Sequence, residues 1–143
     1  MGLILDEIPE GVSVLIDTNP IIYYLENHPA LAARYQPLFT AAAQGRNELV
    51  ISTITLAEVL GGPARTNNEV LLERYEQELS SNSSWRIREV DSAIAVQAAR
   101  LRARYRLKLP DAIQLATALS EGCYALVTHD RDFTAVTELP IIK

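Results

Sequence analysis

Asp17, Glu58, Asp111 and Asp130 are acids whose neighbours suit a shared cation site, and Asp132 lies two residues beyond the last of them. Carboxylates gathered in a cleft repel one another strongly, and a divalent cation removes that cost. The chain has one cysteine, Cys123, and two histidines, His28 and His129, so thiolate clusters are excluded and any metal is held by oxygen. Oxygen-only ligation points to Mg²⁺ or Mn²⁺. Such an ion lowers the pKa of the water it binds and polarises a phosphoryl oxygen, so the chemistry expected is metal-assisted phosphodiester hydrolysis, with one ion or two. Thr18 and Asn19 beside Asp17, and Thr128 beside Asp130, are polar groups suited to orienting the carboxylates.

These residues need a scaffold that brings them together. Val12 to Ile16 is a short apolar, β-branched run that reads as a buried strand ending at Asp17. A helix is expected from Pro20 to about Glu26, and another from Pro29 to Gln44. Leu49 to Ser52 reads as a second strand. Thr53 or Thr55 then caps a helix that reaches Leu60 and stops at Gly61 and Gly62. The stretches 61–68 and 80–84 read as loops, and Asn67 to Leu79 as helical. Trp85 to Val90 reads as a strand or extended edge. Asp91 caps a helix with Ile94, Ala98, Leu101 and Tyr105 on one face, and Pro110 opens a helix ending at Gly122. Ala125 to Thr128 is a strand, with a further short one at Ile141 to Ile142.

Strands alternating with helices imply crossover connections, hence a mainly parallel sheet of four or five strands with helices on both faces. In such sheets the site lies beyond the carboxyl ends of the strands. Asp17, Glu58, Asp111, Asp130 and Asp132 are all expected at that edge. Each also has an ordinary reading. Asp17 suits a helix N-cap, and Thr55 with Glu58 reads equally as a capping box. Asp111 gains from the helix dipole, and Asp130 and Asp132 fit an Asp-rich turn. Convergence is what favours chemistry.

The 143 residues fit one domain, and 48% apolar content supplies its core. No segment is long and apolar enough for a membrane span, and the start lacks the basic and apolar regions of a signal peptide. Asp6 stands where a myristoylation signal wants Ser or Thr. A cytoplasmic protein is expected. The net charge of −5 looks unfavourable for a nucleic-acid binder. The five acids at the proposed site carry all of it, and the remainder is formally neutral. Arg100, Arg102, Arg104, Arg106 and Lys108 fall in one stretch without an acid. Arg102 and Arg106 read either as RNA contacts or as a solvated helix face. His129 is a candidate general base that a metal site does not require. Tyr23 and Tyr24 suit a buried helix face better than base stacking, and Trp85 and Cys123 read as core.

The stretches Val14–Leu25 (VLIDTNPIIYYL), Ile51–Leu60 (ISTITLAEVL), Leu109–Leu119 (LPDAIQLATAL) and Leu126–Phe133 (LVTHDRDF) resemble, in order, the four motifs of a PIN domain, and the length is similar to that of VapC toxins. The resemblance implies a three-layer α/β/α fold, an Mg²⁺- or Mn²⁺-dependent endoribonuclease, inhibition by a VapB-type antitoxin, and a homodimer. It places the family's acidic ligands on Asp17, Glu58, Asp111 and Asp130, with Asp130, Asp132 or both serving in the fourth motif. Asn19 and Thr128 match its supporting polar positions. Residues 1–11 read as an N-terminal extension of a single unit spanning 1–143. A PIN nuclease of RNA maturation shares the same chemistry. An acidic-pocket phosphohydrolase is the alternative of another class; its haloacid-dehalogenase form wants a second Asp where Asn19 stands.

Overall fold

The computed structural model describes residues 3–143; Met1 and Gly2, the first residues of the expected extension, lie outside them. Five strands form one sheet: β1 (Ser13–Ile16), β2 (Glu48–Ser52), β3 (Trp85–Arg88), β4 (Ala125–Val127) and β5 (Ile141–Ile142). Their order is β3-β2-β1-β4-β5, and every adjacent pair is parallel. Six helices connect them: α1 (Thr18–Leu25), α2 (Ala32–Ala43), α3 (Thr53–Arg65), α4 (Glu69–Ser81), α5 (Ser92–Tyr105) and α6 (Leu109–Ser120).

Alternation within the strands assigns the two helical layers. Val14, Ile16, Leu49, Ile51, Ala125 and Val127 face a core that includes residues of α1 to α4. Leu15, Val50 and Leu126 face the opposite core, against α5 and α6. Both faces of the central strands are therefore dry, as the unbroken apolar runs require. The chain leaves β1 in one direction to build β2 and β3 and later returns to the other side as β4. The β1–β4 boundary is thus a topological switch point, where the strand ends open a crevice.

The N-terminal segment is stitched to this body. Ile4 and Ile8 are buried in the first core. The Asn47 carboxamide donates to the Pro9 and Val12 carbonyls at 2.8 and 3.0 Å, and Arg46 donates to the Ile8 carbonyl at 3.0 Å.

Two expectations about helices are corrected. Helix α3 does not stop at Leu60; it continues through Gly61, Gly62 and Pro63 to Arg65, so only 66–68 connect it to α4. Val59 and Pro63, one turn apart, are both buried, and this packing outweighs the weak helix propensity of two glycines. The left-handed turn residue is Asn67, at φ 54°, rather than either glycine. Helix α2 starts at Ala32, not Pro29. The preceding turn is held by His28, whose Nδ1 accepts the amides of Ala30 and Leu31 at 3.2 and 3.1 Å. Trp85 is core, with its indole N–H on the Leu79 carbonyl, and Cys123 is buried. No helix among the described residues is long and apolar enough to cross a membrane.

Candidate active site

Asp17 directly follows β1, and its amide extends the ladder by donating to the Val127 carbonyl at 2.9 Å. It occupies the N-cap position of α1 without making a side-chain cap bond. Its carboxylate is instead held by Thr128, whose hydroxyl donates to Oδ2 at 2.7 Å across the β1–β4 boundary. The same Thr128 oxygen accepts the Asp130 amide at 2.9 Å, and Asp130 Oδ1 accepts the Asp132 amide at 2.9 Å. One threonine thereby fixes the first acid and the turn carrying the last two.

Asp111 enters from the first turn of α6, behind Pro110. Carboxylate oxygens of Asp111, Asp130 and Asp132 lie within 4.8 Å of one another. Asp111 Oδ2 is buried and has no hydrogen-bond partner. A buried acceptor of this kind carries a desolvation penalty unless a cation or donor meets it. Burial pushes the Asp111 carboxyl up to about 7, with the charges of Asp17, Asp130, Asp132 and Glu58 adding to the effect. Burial likewise pushes Asp17 up to about 6 against the opposing hydrogen bonds from Thr128 and Thr18, and Glu58 and Asp130 add repulsion. All five acids therefore share one electrostatic field.

Glu58 stands beside the aspartate trio rather than within it. Its capping-box reading is corrected. The N-cap of α3 is Ser52, whose hydroxyl accepts the Ile54 amide at 3.1 Å. Thr55 lies one turn inside the helix, and its hydroxyl faces Thr18 at 3.0 Å. Glu58 receives its hydrogen bond from the Thr18 hydroxyl, at 2.7 Å.

Of the polar residues expected to support the acids, Thr18 and Thr128 are buried and bonded to them, whereas Asn19 is exposed on α1. Arg102 and Arg106 are exposed. Arg106 ends α5 in a left-handed conformation, and Lys108, two residues on, sits 3.7 Å from Asp132. The basic stretch thus borders the acids at its end. Arg104 is paired with Glu138 instead. His129 is exposed, with Nδ1 3.2 Å from the Tyr35 hydroxyl and its ring edge-on to Tyr23. Tyr23 and Tyr24 are half-buried against the first core.

Sequence reasoning missed Gln114. It is wholly buried, and its Nε2 lies 3.2 Å from Thr18 Oγ1 and 3.0 Å from Thr55 Oγ1. The available signal was its position three residues after Asp111, on the same face of a largely apolar helix.

The PIN-domain family model matches residues 14–139. No curated protein sequence matches the chain significantly. Among solved structures, a toxin–antitoxin complex from Klebsiella pneumoniae contains a chain 28% identical, covering 91% of this chain and 96% of that one, with a TM-score of 0.67. VapBC2 from Rickettsia felis, bound to a DNA fragment of its promoter, is similar at 21% identity, 90% and 96% coverage and TM-score 0.72. VapC20 from Mycobacterium tuberculosis, described as a sarcin–ricin loop cleaving toxin, is similar at 17% identity, 91% and 99% coverage and TM-score 0.70. With its parallel sheet, its switch-point acids and a family match that spans nearly all of its length, the chain belongs to the PIN-domain family.

Proposed function

We propose that this protein is a metal-dependent endoribonuclease, the toxin of a VapBC-type pair. The observation that carries the proposal is that carboxylate oxygens of Asp111, Asp130 and Asp132 lie within 4.8 Å of one another, while Asp111 also has a buried oxygen, Oδ2, without a hydrogen-bond partner. Such a donor set fits a hard divalent cation, Mg²⁺ or Mn²⁺. Asp17, Asp111 and Asp130 would hold it, with Glu58 and Asp132 completing the set. The bound ion supplies Lewis acidity toward a phosphate oxygen and a water of lowered pKa.

The chain's own groups do the positioning. Thr128 locks the Asp17 carboxylate and Thr18 locks that of Glu58. The α6 N-terminus directs its positive dipole end to the Asp111 region, where a phosphate gains from it. The cut nucleic acid is proposed to be RNA because VapC20, of the same fold, is described as cleaving the sarcin–ricin loop. The antitoxin partner is proposed from the toxin–antitoxin and VapBC2 complexes. A groove of about 360 Å³ that Glu58 helps to line, with apolar residues such as Leu25, Val59 and Leu71 beside the charged Glu26 and Arg65, is a suitable seat for it. A homodimer, a cytoplasmic location and a single functional unit over 1–143 complete the proposal.

The test is cleavage of end-labelled RNA by the purified protein with Mg²⁺ or Mn²⁺, followed by chelation. Cleavage that stops in EDTA and returns with added metal supports the proposal; undiminished cleavage in EDTA refutes it. Sequencing RNA ends after brief expression then identifies the target. For the basic stretch, reversing the charge of Arg102 and Arg106 is expected to weaken RNA binding. Loss of two phosphate contacts flattens the salt dependence of binding by about 1.4 logarithmic units per decade of salt. An unchanged slope assigns both arginines to the solvated face.

A further inference from the structure

We infer that Gln114 is a positioning residue for Glu58, acting through a directed relay of hydrogen bonds that runs from its carboxamide through Thr55 and Thr18 to the Glu58 carboxylate. The inference rests on the metal-site reading above and extends it to a residue without an acidic or ligating group.

Four short contacts join the four side chains: Thr18 to Glu58 at 2.7 Å, Thr18 to Thr55 at 3.0 Å, Gln114 to Thr18 at 3.2 Å and Gln114 to Thr55 at 3.0 Å. Each contact needs one proton. Thr18 and Thr55 supply one each and the Gln114 amide supplies two. With Glu58 as a carboxylate, one arrangement fills every contact. Gln114 donates to both threonines, Thr55 donates to Thr18, and Thr18 donates to Glu58. Thr18 then has both acceptor positions occupied, so its single proton has no other outlet. Turning the amide over puts an oxygen against Thr18, and that contact loses its proton.

The surroundings reinforce the direction. Thr18, Thr55 and Gln114 are buried, the last two completely. Without water to substitute, an unmet donor or acceptor in such a network is costly. Gln114 also stands one helical turn beyond Asp111, so α6 carries both a proposed ligand and the group that aims another. The Oε1 of Gln114 has no protein partner, so the amide's contribution to the network is made entirely through its donors. Groups that orient a ligand typically contribute 10–100-fold to metal affinity.

The experiment measures Mn²⁺ binding by calorimetry or by loss of the free-ion EPR signal, together with a thermal melt. Gln114→Met keeps the length and removes both donors. We expect a folded protein with its Mn²⁺ dissociation constant raised roughly tenfold. Thr18→Val, which cuts the last link, is expected to give a similar loss, and the double variant no more than the larger single one. Unchanged Mn²⁺ affinity in Gln114→Met, or losses that add in full, would overturn the relay. Should Gln114→Met fail to fold, Gln114→Leu removes the same two donors from a smaller side chain. It is expected to weaken Mn²⁺ binding non-additively with Thr18→Val; unchanged affinity in Gln114→Leu, or in Thr18→Val where neither Gln114 variant folds, again overturns the inference. Wild-type protein that binds no Mn²⁺ overturns the metal site itself and the relay with it. Normal wild-type binding with unaffected variants overturns the relay alone.

Discussion

Replacing Asp111 or Asp17 with Asn is expected to abolish RNA cleavage, by about 10³-fold or more, while making the metal-free protein more stable at pH 7.5. Each change is nearly isosteric and removes one carboxylate from the proposed ligand set. Several kcal/mol of transition-state stabilisation depend on a bound ion, and about 4 kcal/mol already corresponds to a thousandfold. The opposite sign on stability follows from burial. Asp17 is 5% exposed and Asp111 9% exposed, and each is surrounded by other acids. Deleting a buried, repelled charge relieves the fold even as it disables the site, a trade common where function demands strain. Cleavage assays and thermal melts of the two variants in EDTA check both halves. Full activity in either variant removes the metal-site mechanism. Lost activity accompanied by a lower Tm would mean that these aspartates support the fold instead.

The stability of the metal-free protein is expected to fall as the pH rises from about 4 to about 7, and added Mn²⁺ is expected to reverse the fall. Asp17, at about 6, and Asp111, at about 7, both lie above the ordinary value of a free aspartate. A folded-state pKa raised above the unfolded one contributes stability that is fully present below the unfolded value. That contribution is lost as the pH rises through the folded value. The loss therefore spans roughly pH 4 to 7. For Asp17 alone, about two pH units correspond to about 3 kcal/mol. In a chain of this size that is on the order of 10 °C in Tm. Asp91, Glu121 and Glu138 work oppositely, because arginine partners or hydrogen bonds hold their carboxyls below the ordinary range. Their contribution is lost only as the pH falls below about 4.5, a separate window. Mn²⁺ binds the ionised acids, so its stabilisation grows with pH, reaching about 2.7 kcal/mol at a hundredfold excess over Kd. Melts at pH 5 and 7.5, with EDTA or Mn²⁺, read this directly. A Tm indifferent to pH and metal would show that the acids are neither buried nor bridged by a cation.

Much of this was legible in the residues. Val14 to Ile16, Leu49 to Ile51 and Ala125 to Val127 are short apolar runs that read as strands buried on both faces. Their separation by helices dictates parallel pairing and a site at their carboxyl ends. Asp17, Asp111, Asp130 and Asp132 could be placed at that edge without coordinates, because each sits at a strand end or a first helical turn.

The errors arose where local preference and tertiary packing disagree. Gly61, Gly62 and Pro63 signal a helix end, yet α3 continues because Val59 and Pro63 are packed into the interior. Thr55 and Glu58 have capping-box spacing, yet Ser52 caps the helix and both residues turn to partners some forty positions away.

The sequence by itself determined that Asp17, Asp111, Asp130 and Asp132 follow strands or open a helix, and alternation of strands with helices places such positions toward the carboxyl edge of a parallel sheet. Only the tertiary structure decided what holds them. The contacts from Thr128 to Asp17, from Thr18 to Glu58 and from Gln114 to both threonines cross 111, 40, 96 and 59 positions of chain. Propensity and periodicity act within a few residues, whereas these bonds exist only once the helices have docked and water has left the space between them.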